Sequence, residues 1–373
     1  MSKHIVMLCG GKSQEPYLDE FKRRRWTVSV VDRDERAICR VRADTFYLCS
    51  TYSIEELKAC LLELKGKVDL VFSNSSARAV AENIIKLNAW LGSTLPSPNE
   101  ASLIFCYDKK RMRNALFNQS VNIPPILDYT DNHEGEITFP LILKPTKNSL
   151  GGCGVRIIYT LNDLKDVANL IEDGEHHIEP FIKGREYSVD GIVKNGSLTI
   201  VCITRKTSGI KRNDFIPDVF STCSLDKKLE DVIFQQVTLS VKALHIDNCP
   251  ISVDLKITPS NEVFIIECGI FWDSKIDRLL MFSGFNPYTY FIDSILLQTD
   301  PIIDLISNTA MEFIFVDSEQ SFNKNTVKSR HPNDYIEYER ETGDIVKPPS
   351  SVSDLVACRF YRIEQNLTRK EIQ

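Results

Sequence analysis

No two of the eleven cysteines stand at C-x-x-C spacing, which argues against a zinc ribbon or a thioredoxin-like redox site. No uncharged apolar stretch approaches the roughly 20 residues that cross a bilayer, and no secretory apolar core follows the start. Free thiols without such a leader set the expectation of a reducing, cytoplasmic setting. Positive charge is not in excess. The formal net charge is −6, so neither nucleic acid nor a membrane surface is an expected partner. The six histidines do not gather at ligand spacing, and the adjacent pair His176–His177 points apart in most backbone conformations. The dinucleotide fingerprint G-x-G-x-x-G is missing as well, since Gly10–Gly11 stands alone.

What the chain does have is alternation. "HIVMLCGG" reads as a buried strand ending in glycines, "EPYLDEFKRRR" as a helix, and "TVSVVDRD" and "TFYLCS" as strands. "SIEELKACLLELKG" follows as a helix, with Ser53 and Glu56 spaced as a capping box. "VDLVFSN" and "ARAVAENIIKLNAWLG" add a fourth strand and a third helix. Strands and helices in strict turn predict a parallel sheet wound on both faces. Its strand ends make "CGGKSQ" and "SNSS" candidate pocket edges. The basic run Lys22–Arg25 reads as the solvated end of a helix.

"LPSPNEAS" breaks the pattern near residue 96 and marks a linker. The expected divisions are 1–96, 97–302 and a small α+β tail over 303–373. Within the middle part, "LILKPTKNSLGGCGVRII" sets Lys144 before a turn with Gly151, Gly152 and Gly154. Glycines let backbone N–H groups form a concave anion nest, and a lysine beside the nest suggests phosphate. Asn195–Gly196 marks a hairpin, and a long helix is expected from about Leu225 to His245. A second hairpin, "ISVDLKITPSNEVFIIECG", carries Asp254 and Glu267 on opposite arms, thirteen positions apart. With the turn near Pro259–Asn261, both carboxylates fall on one face. Two neighbouring carboxylates on a sheet face are costly unless a cation holds them, and Mg²⁺ suits one or two carboxylates plus phosphate oxygens.

Four segments in this order, "DKKRM", "LKPTKNSLGGCGV", "IEPFIKGREYSVD" and "SVDLKITPSNEVFIIEC", resemble the ATP-grasp enzymes of carboxylate–amine ligase type over roughly residues 1 to 300. The resemblance implies a doubly wound N-terminal domain, a two-lobed α+β ATP-grasp domain over 97–302 and the small C-terminal tail. It places Lys109 and Lys144 on the nucleotide phosphates, with the loop from Asn148 to Gly154, including Ser149, closing over them. Glu179, Pro180, Phe181 and Ile182 would hold adenine between the lobes, and Glu186 the ribose hydroxyls. Asp254 and Glu267 would hold Mg²⁺, with Mn²⁺ as an alternative. Arg205, Lys206, Lys211 and Arg212 would sit in a mobile loop that reaches the transferring phosphate.

One departure stands out. The family usually carries Asn two residues after the metal-binding Glu and often a substrate-binding Arg two further on. Here those positions are Gly269 and Phe271. Asp273 or water would have to replace the first ligand, and Lys275 is the candidate for the lost carboxylate clamp. The function the resemblance implies is ATP-dependent joining of a small-molecule carboxylate to an amine through an acyl phosphate, with ADP and phosphate released. The competing readings are an ATP-binding sensor or scaffold without ligase chemistry, and a bicarbonate-using purine-pathway carboxylating enzyme. A homodimer is left open.

Overall fold

A computed structural model describes residues 2–75, 77–127, 138–146, 154–207, 217–272, 275–304, 308–330, 333–349 and 354–363. The first ninety residues run β1 (His4–Leu8), α1 (Glu15–Arg23), β2 (Thr27–Asp32), β3 (Thr45–Leu48), α2 (Ile54–Cys60), β4 (Leu70–Phe72) and α3 (Arg78–Leu91). The four strands are parallel, in the order β3-β2-β1-β4. Helices cover both faces, so β1 and β2 are buried along nearly their whole length. On the free edge of β4, Asn88 of α3 acts as a substitute strand. Its Oδ1 accepts from Val71 N–H at 2.7 Å and its Nδ2 donates to Val71 O at 3.0 Å. Ser53 caps α2 by accepting from Glu56 N–H.

After the proline-rich link come α4 (Glu100–Cys106) and α5 (Lys109–Asn118), capped by Asn99 and Asp108. A small antiparallel sheet follows, in the order β6-β5-β7, from β5 (Leu141–Pro145), β6 (Arg156–Ile158) and β7 (His176–Pro180). Two short helices, α6 (Leu161–Lys165) and α7 (Ala168–Glu172), cover it. Thr160 and Asp163 form a complete capping box at the start of α6.

The rest of the chain is organised by one large sheet. Its first five strands are β8 (Arg185–Lys194), β9 (Ser197–Thr207), β10 (Val219–Thr222), β11 (Cys249–Ile257) and β12 (Val263–Gly269). Helices α8 (Lys227–Ala243), α9 (Ile276–Phe282) and α10 (Pro287–Phe291) accompany them, and then come β13 (Thr309–Ile314), β14 (Gln320–Ser321), β15 (Tyr335–Tyr338), β16 (Ile345–Val346) and β17 (Ala357–Arg362). The order is β12-β11-β8-β9-β10-β13-β17-β15, while β14 and β16 pair separately. The sheet therefore runs across residue 302 into the tail. Asn195 and Gly196 both have positive φ, +50° and +74°, in the two-residue turn between β8 and β9.

Period-two alternation decides which side chains meet the ligand side of this sheet. Tyr187, Val189, Val253, Leu255 and Ile257 face α8 and pack on its Ile233, Val237 and Val241. Their neighbours Glu186, Ser188, Asp190, Ser252, Asp254 and Lys256 fall on the opposite, polar face. A second core joins the N-terminal sheet to the other end of the chain, with Ile5, Tyr17 and Phe21 in one cluster with Trp272, Leu279, Phe291, Met311 and Phe360. Here the basic run departs from expectation. Arg24 is mostly buried and bridges Glu20 to Asp293 at 2.5 and 2.6 Å, so it ties the two parts together instead of lying in solvent.

Candidate nucleotide and metal site

Helix α5 stands between the small and large sheets. Lys109 and Arg113 are four residues apart on it and so share a face. Lys109 reaches Glu267 on β12 at 3.5 Å, and Arg113 pairs with Glu179 on β7. One helix face thus engages a carboxylate on each sheet.

On the small sheet, Glu179 is only 1% exposed. Its carboxylate also takes Lys144 Nζ at 2.9 Å and faces His177 Nε2 at 2.8 Å. The strand register explains the meeting, because β5 pairs Lys144 with His177, two positions from Glu179. Burial opposes the negative charge, but His177, Lys144 and Arg113 together outweigh it and hold the carboxyl down to about 2. At Lys144 the balance runs the other way. Burial, with repulsion from Arg113 and Lys109, lowers its affinity for the proton despite Glu179. Burial likewise lowers His177, which favours the neutral ring. The second guanidinium nitrogen of Arg113 donates to Pro124 O at 2.8 Å.

The large sheet holds a different arrangement. Asp254 and Glu267 are directly opposite each other in the antiparallel register of β11 and β12, beside a bulge. Their side chains are 31% and 44% exposed. Lys206 Nζ lies 2.6 Å from Asp254 and 4.0 Å from Glu186. Burial raises the Glu186 carboxyl; Lys206 counters it, Asp254 adds to it, and Lys256 and Lys144 lower it. Lys144 on the small sheet and Glu186 on the large sheet are therefore within electrostatic reach across the gap. Pro180, Phe181 and Ile182 make the crossing between the sheets. There the Phe181 N–H is held by Pro140 O at 3.1 Å, Lys256 Nζ sits 4.8 Å from the centre of the Phe181 ring, and it donates to Ile182 O at 3.4 Å.

Lys109, Lys144, Glu186, Lys206, Asp254 and Glu267 are thus brought together. Glu179 is close by, but its side chain is turned into the buried network. Arg205 is separated from them, because β9 extends to Thr207 and alternation puts Arg205 opposite Tyr187 on the α8 face. Lys275 does bind a carboxylate, but one of the chain's own. Its Nζ is 2.8 Å from Glu339, which also pairs with Arg278, and these cations hold the buried Glu339 carboxyl down to about 2. Gly154 has φ +78°, and a Cβ there would come within 2.8 Å of Pro145 Cγ, so glycine is required by both conformation and space. Ser149, Gly151, Gly152, Lys211, Arg212 and Asp273 lie outside the described residues.

Arg113, His177 and Lys256 also belong to this region, beyond the residues the sequence motifs point to. For Arg113 a signal existed in its i,i+4 spacing from Lys109. For Lys256 it existed in alternation with Asp254. Among the described residues no three His, Cys, Asp or Glu side chains gather as a metal cluster; the Asp254–Glu267 pair would need oxygens from elsewhere. The ten described cysteines form no disulfide, and no described helix is long and apolar enough to cross a membrane.

Residues 137–270, which contain both sheets' facing residues, match the family model of the ATP-grasp domain. The chain carries an ATP-grasp domain. Its fold is also that of several solved structures. The L-amino acid ligase from Bacillus licheniformis aligns with TM-score 0.81 and 17% identity, over 99% of this chain and 95% of that one. The N5-carboxyaminoimidazole synthetase from Staphylococcus aureus, complexed with ADP, gives 0.77 and 17%, over 100% and 96%. Biotin carboxylase from Campylobacter jejuni gives 0.73 and 16%, over 98% and 88%. At such identities the likeness is one of fold. No curated protein sequence matches the chain significantly.

Proposed function

We propose that this ATP-grasp protein is an ATP-dependent ligase that activates a small-molecule carboxylate as an acyl phosphate and joins it to an amine, releasing ADP and phosphate. The observation that carries the reading is the convergence of Lys144 from the small sheet with Glu186, Lys206 and the Asp254–Glu267 pair from the large one.

Each residue type suits its part. Lys109, Lys144 and Lys206 supply positive charge where a triphosphate would lie between the sheets. Glu186 has two acceptor oxygens for ribose hydroxyls. The Asp254–Glu267 pair fits a hard cation, since the two carboxylates are adjacent, meet Lys206 and Lys109 from either side, and offer oxygen ligands alone. Mg²⁺ or Mn²⁺ held there would offset charge on the phosphate oxygens. Phosphoryl transfer asks mainly for positioning and charge balance, with little covalent help from protein. The lysines orient the phosphates, and closure of the two sheets over the nucleotide would exclude water from the acyl phosphate.

A screen of ADP release with MgATP and paired carboxylates and amines tests this, with bicarbonate as a separate arm. We expect release above the ATP-only background for a carboxylate–amine pair. Tight MgATP binding with no turnover for any pair would leave a nucleotide-binding protein and overturn the ligase reading.

A further inference from the structure

Beside the carboxylate pair, β12 continues into Ile270 and Phe271, and these two residues form one wall of a cavity of about 60 Å³. The carboxyl end of β4, from Phe72 to Asn74, where ligands of parallel sheets gather, also lines it. Pro96, Ser97 and Pro98 of the link close one side, and Tyr17 and Phe291 line the floor. None of its described lining residues is charged. The polar atoms it does contain are sparse and enclosed. Tyr17 Oη, Asn74 Nδ2 and Asn248 Oδ1 are shut off from solvent and have no hydrogen-bond partner among the described residues. Tyr17 as a whole residue is 0% exposed.

Phe271 decides the character of this place. It stands two residues beyond Gly269, which pairs with Ser252 next to the Asp254–Glu267 rung. A Cβ on Gly269 would touch the Phe271 ring at 3.5 Å, so the ring packs over the strand end that leads from the metal-binding carboxylates. A cation here would have drawn a second acidic group. The cations that follow it in the chain, Lys275 and Arg278, are engaged by Glu339.

We propose that this cavity receives an uncharged, branched aliphatic side group of the carboxylate substrate, and that Phe271 selects against a second carboxylate. The inference rests on the ligase reading for the word substrate, but the binding it describes does not depend on turnover. The group's apolar body lies against Phe72, Ile270 and Phe271, with no charged side chain beside it. A substrate that reaches the cavity past Glu267 and Gly269 is the one whose carboxylate is nearest the transferred phosphate.

Calorimetric titration of the full chain with 4-methylpentanoate and with succinate, probes of similar length, tests the proposal. The wild type is expected to bind 4-methylpentanoate at least about tenfold more tightly, the amount that burying a branched aliphatic group provides. Phe271→Arg should reverse the preference. Ser97→Phe, a change in the link outside regular structure, should fill the cavity and abolish 4-methylpentanoate binding while leaving MgATP affinity in place. Equal affinity for succinate, binding of neither acid, or 4-methylpentanoate binding that survives both substitutions would overturn the proposal. Retained preference for 4-methylpentanoate in a protein that fails to bind MgATP would support the cavity while sinking the ligase reading.

Discussion

The two sheets that face each other in this protein both carry carboxylates among lysines, yet they treat them in opposite ways. Glu179 on the small sheet is sealed and surrounded by Arg113, Lys144 and His177. Asp254 and Glu267 on the large sheet are a third to nearly half exposed, face each other across the register, and meet Lys206 and Lys109 respectively. A carboxylate whose charge the protein neutralises fully is committed to holding structure. A facing pair left accessible to solvent at a sheet face is suited to an external cation. The contrast separates a structural anchor from a candidate binding pair.

The sharpest break of the comparison is Glu179→Gln. Removing one charge strands the buried Arg113 and Lys144, and breaking a buried ion pair from one side costs about 3–5 kcal/mol. Urea unfolding should register that loss without any nucleotide present. A change below about 1 kcal/mol would mean that Glu179 is no anchor.

Acid should act on the same side of the comparison. The Glu179 carboxyl titrates at about 2 in the fold against 4.5 as its ordinary value. Its contribution is therefore fully present above pH 4.5 and is lost as the pH falls toward 2. His177, lowered by burial, adds in the same direction, since it resists protonation in the fold. Glu339, also held to about 2, contributes over the same window. Unfolding free energy should therefore fall steeply between about pH 4.5 and 2, and Glu179→Gln should show a shallower slope. Equal slopes for the two proteins would contradict the assignment.

Lys144→Met sits between the two regions, because Lys144 faces both Glu179 and Glu186. Glu179 retains Arg113 and His177, so the stability loss should be smaller, about 1–3 kcal/mol. The affinity for ATP should fall as well, which calorimetry would read. Unchanged ATP affinity would remove Lys144 from the nucleotide site. The smallest effect is expected from Gly269→Asn. Its Cβ would meet the Phe271 ring at ordinary contact distance, and melting should move by no more than the few degrees that about 0.5 kcal/mol brings.

Much of this architecture could be read from local pattern. The parallel sheet of β1 to β4 was legible because both faces are covered, so β1 and β4 read as short apolar runs and β2 as valines broken by Ser29. The opposition of Asp254 and Glu267 followed from a turn of identifiable residues, which fixes the register of both arms. Arg205 and Lys206 show where local reading failed. Loop residues could both reach one site, but β9 continues to Thr207 and alternation sends these two to opposite faces. Glu179 was expected to line a ligand, and only its tertiary partners reveal that it points inward. Nor could the tail be placed in advance, since pairing of β13 with β10 depends on segments about ninety residues apart.

The account stands or falls on the Asp254–Glu267 pair, and Glu267→Gln tests it most directly. The amide keeps shape and one acceptor oxygen but removes the charge that would oppose a cation, and it relieves repulsion within the pair. Melting without Mg²⁺ should therefore stay the same or rise. In the wild type, MgATP at about 100 times its dissociation constant should add about 2.7 kcal/mol of stability. In Glu267→Gln that increment should shrink by at least about 1.4 kcal/mol, the equivalent of a tenfold loss of affinity. Full Mg²⁺-dependent stabilisation by ATP in Glu267→Gln would place the metal elsewhere and contradict the account.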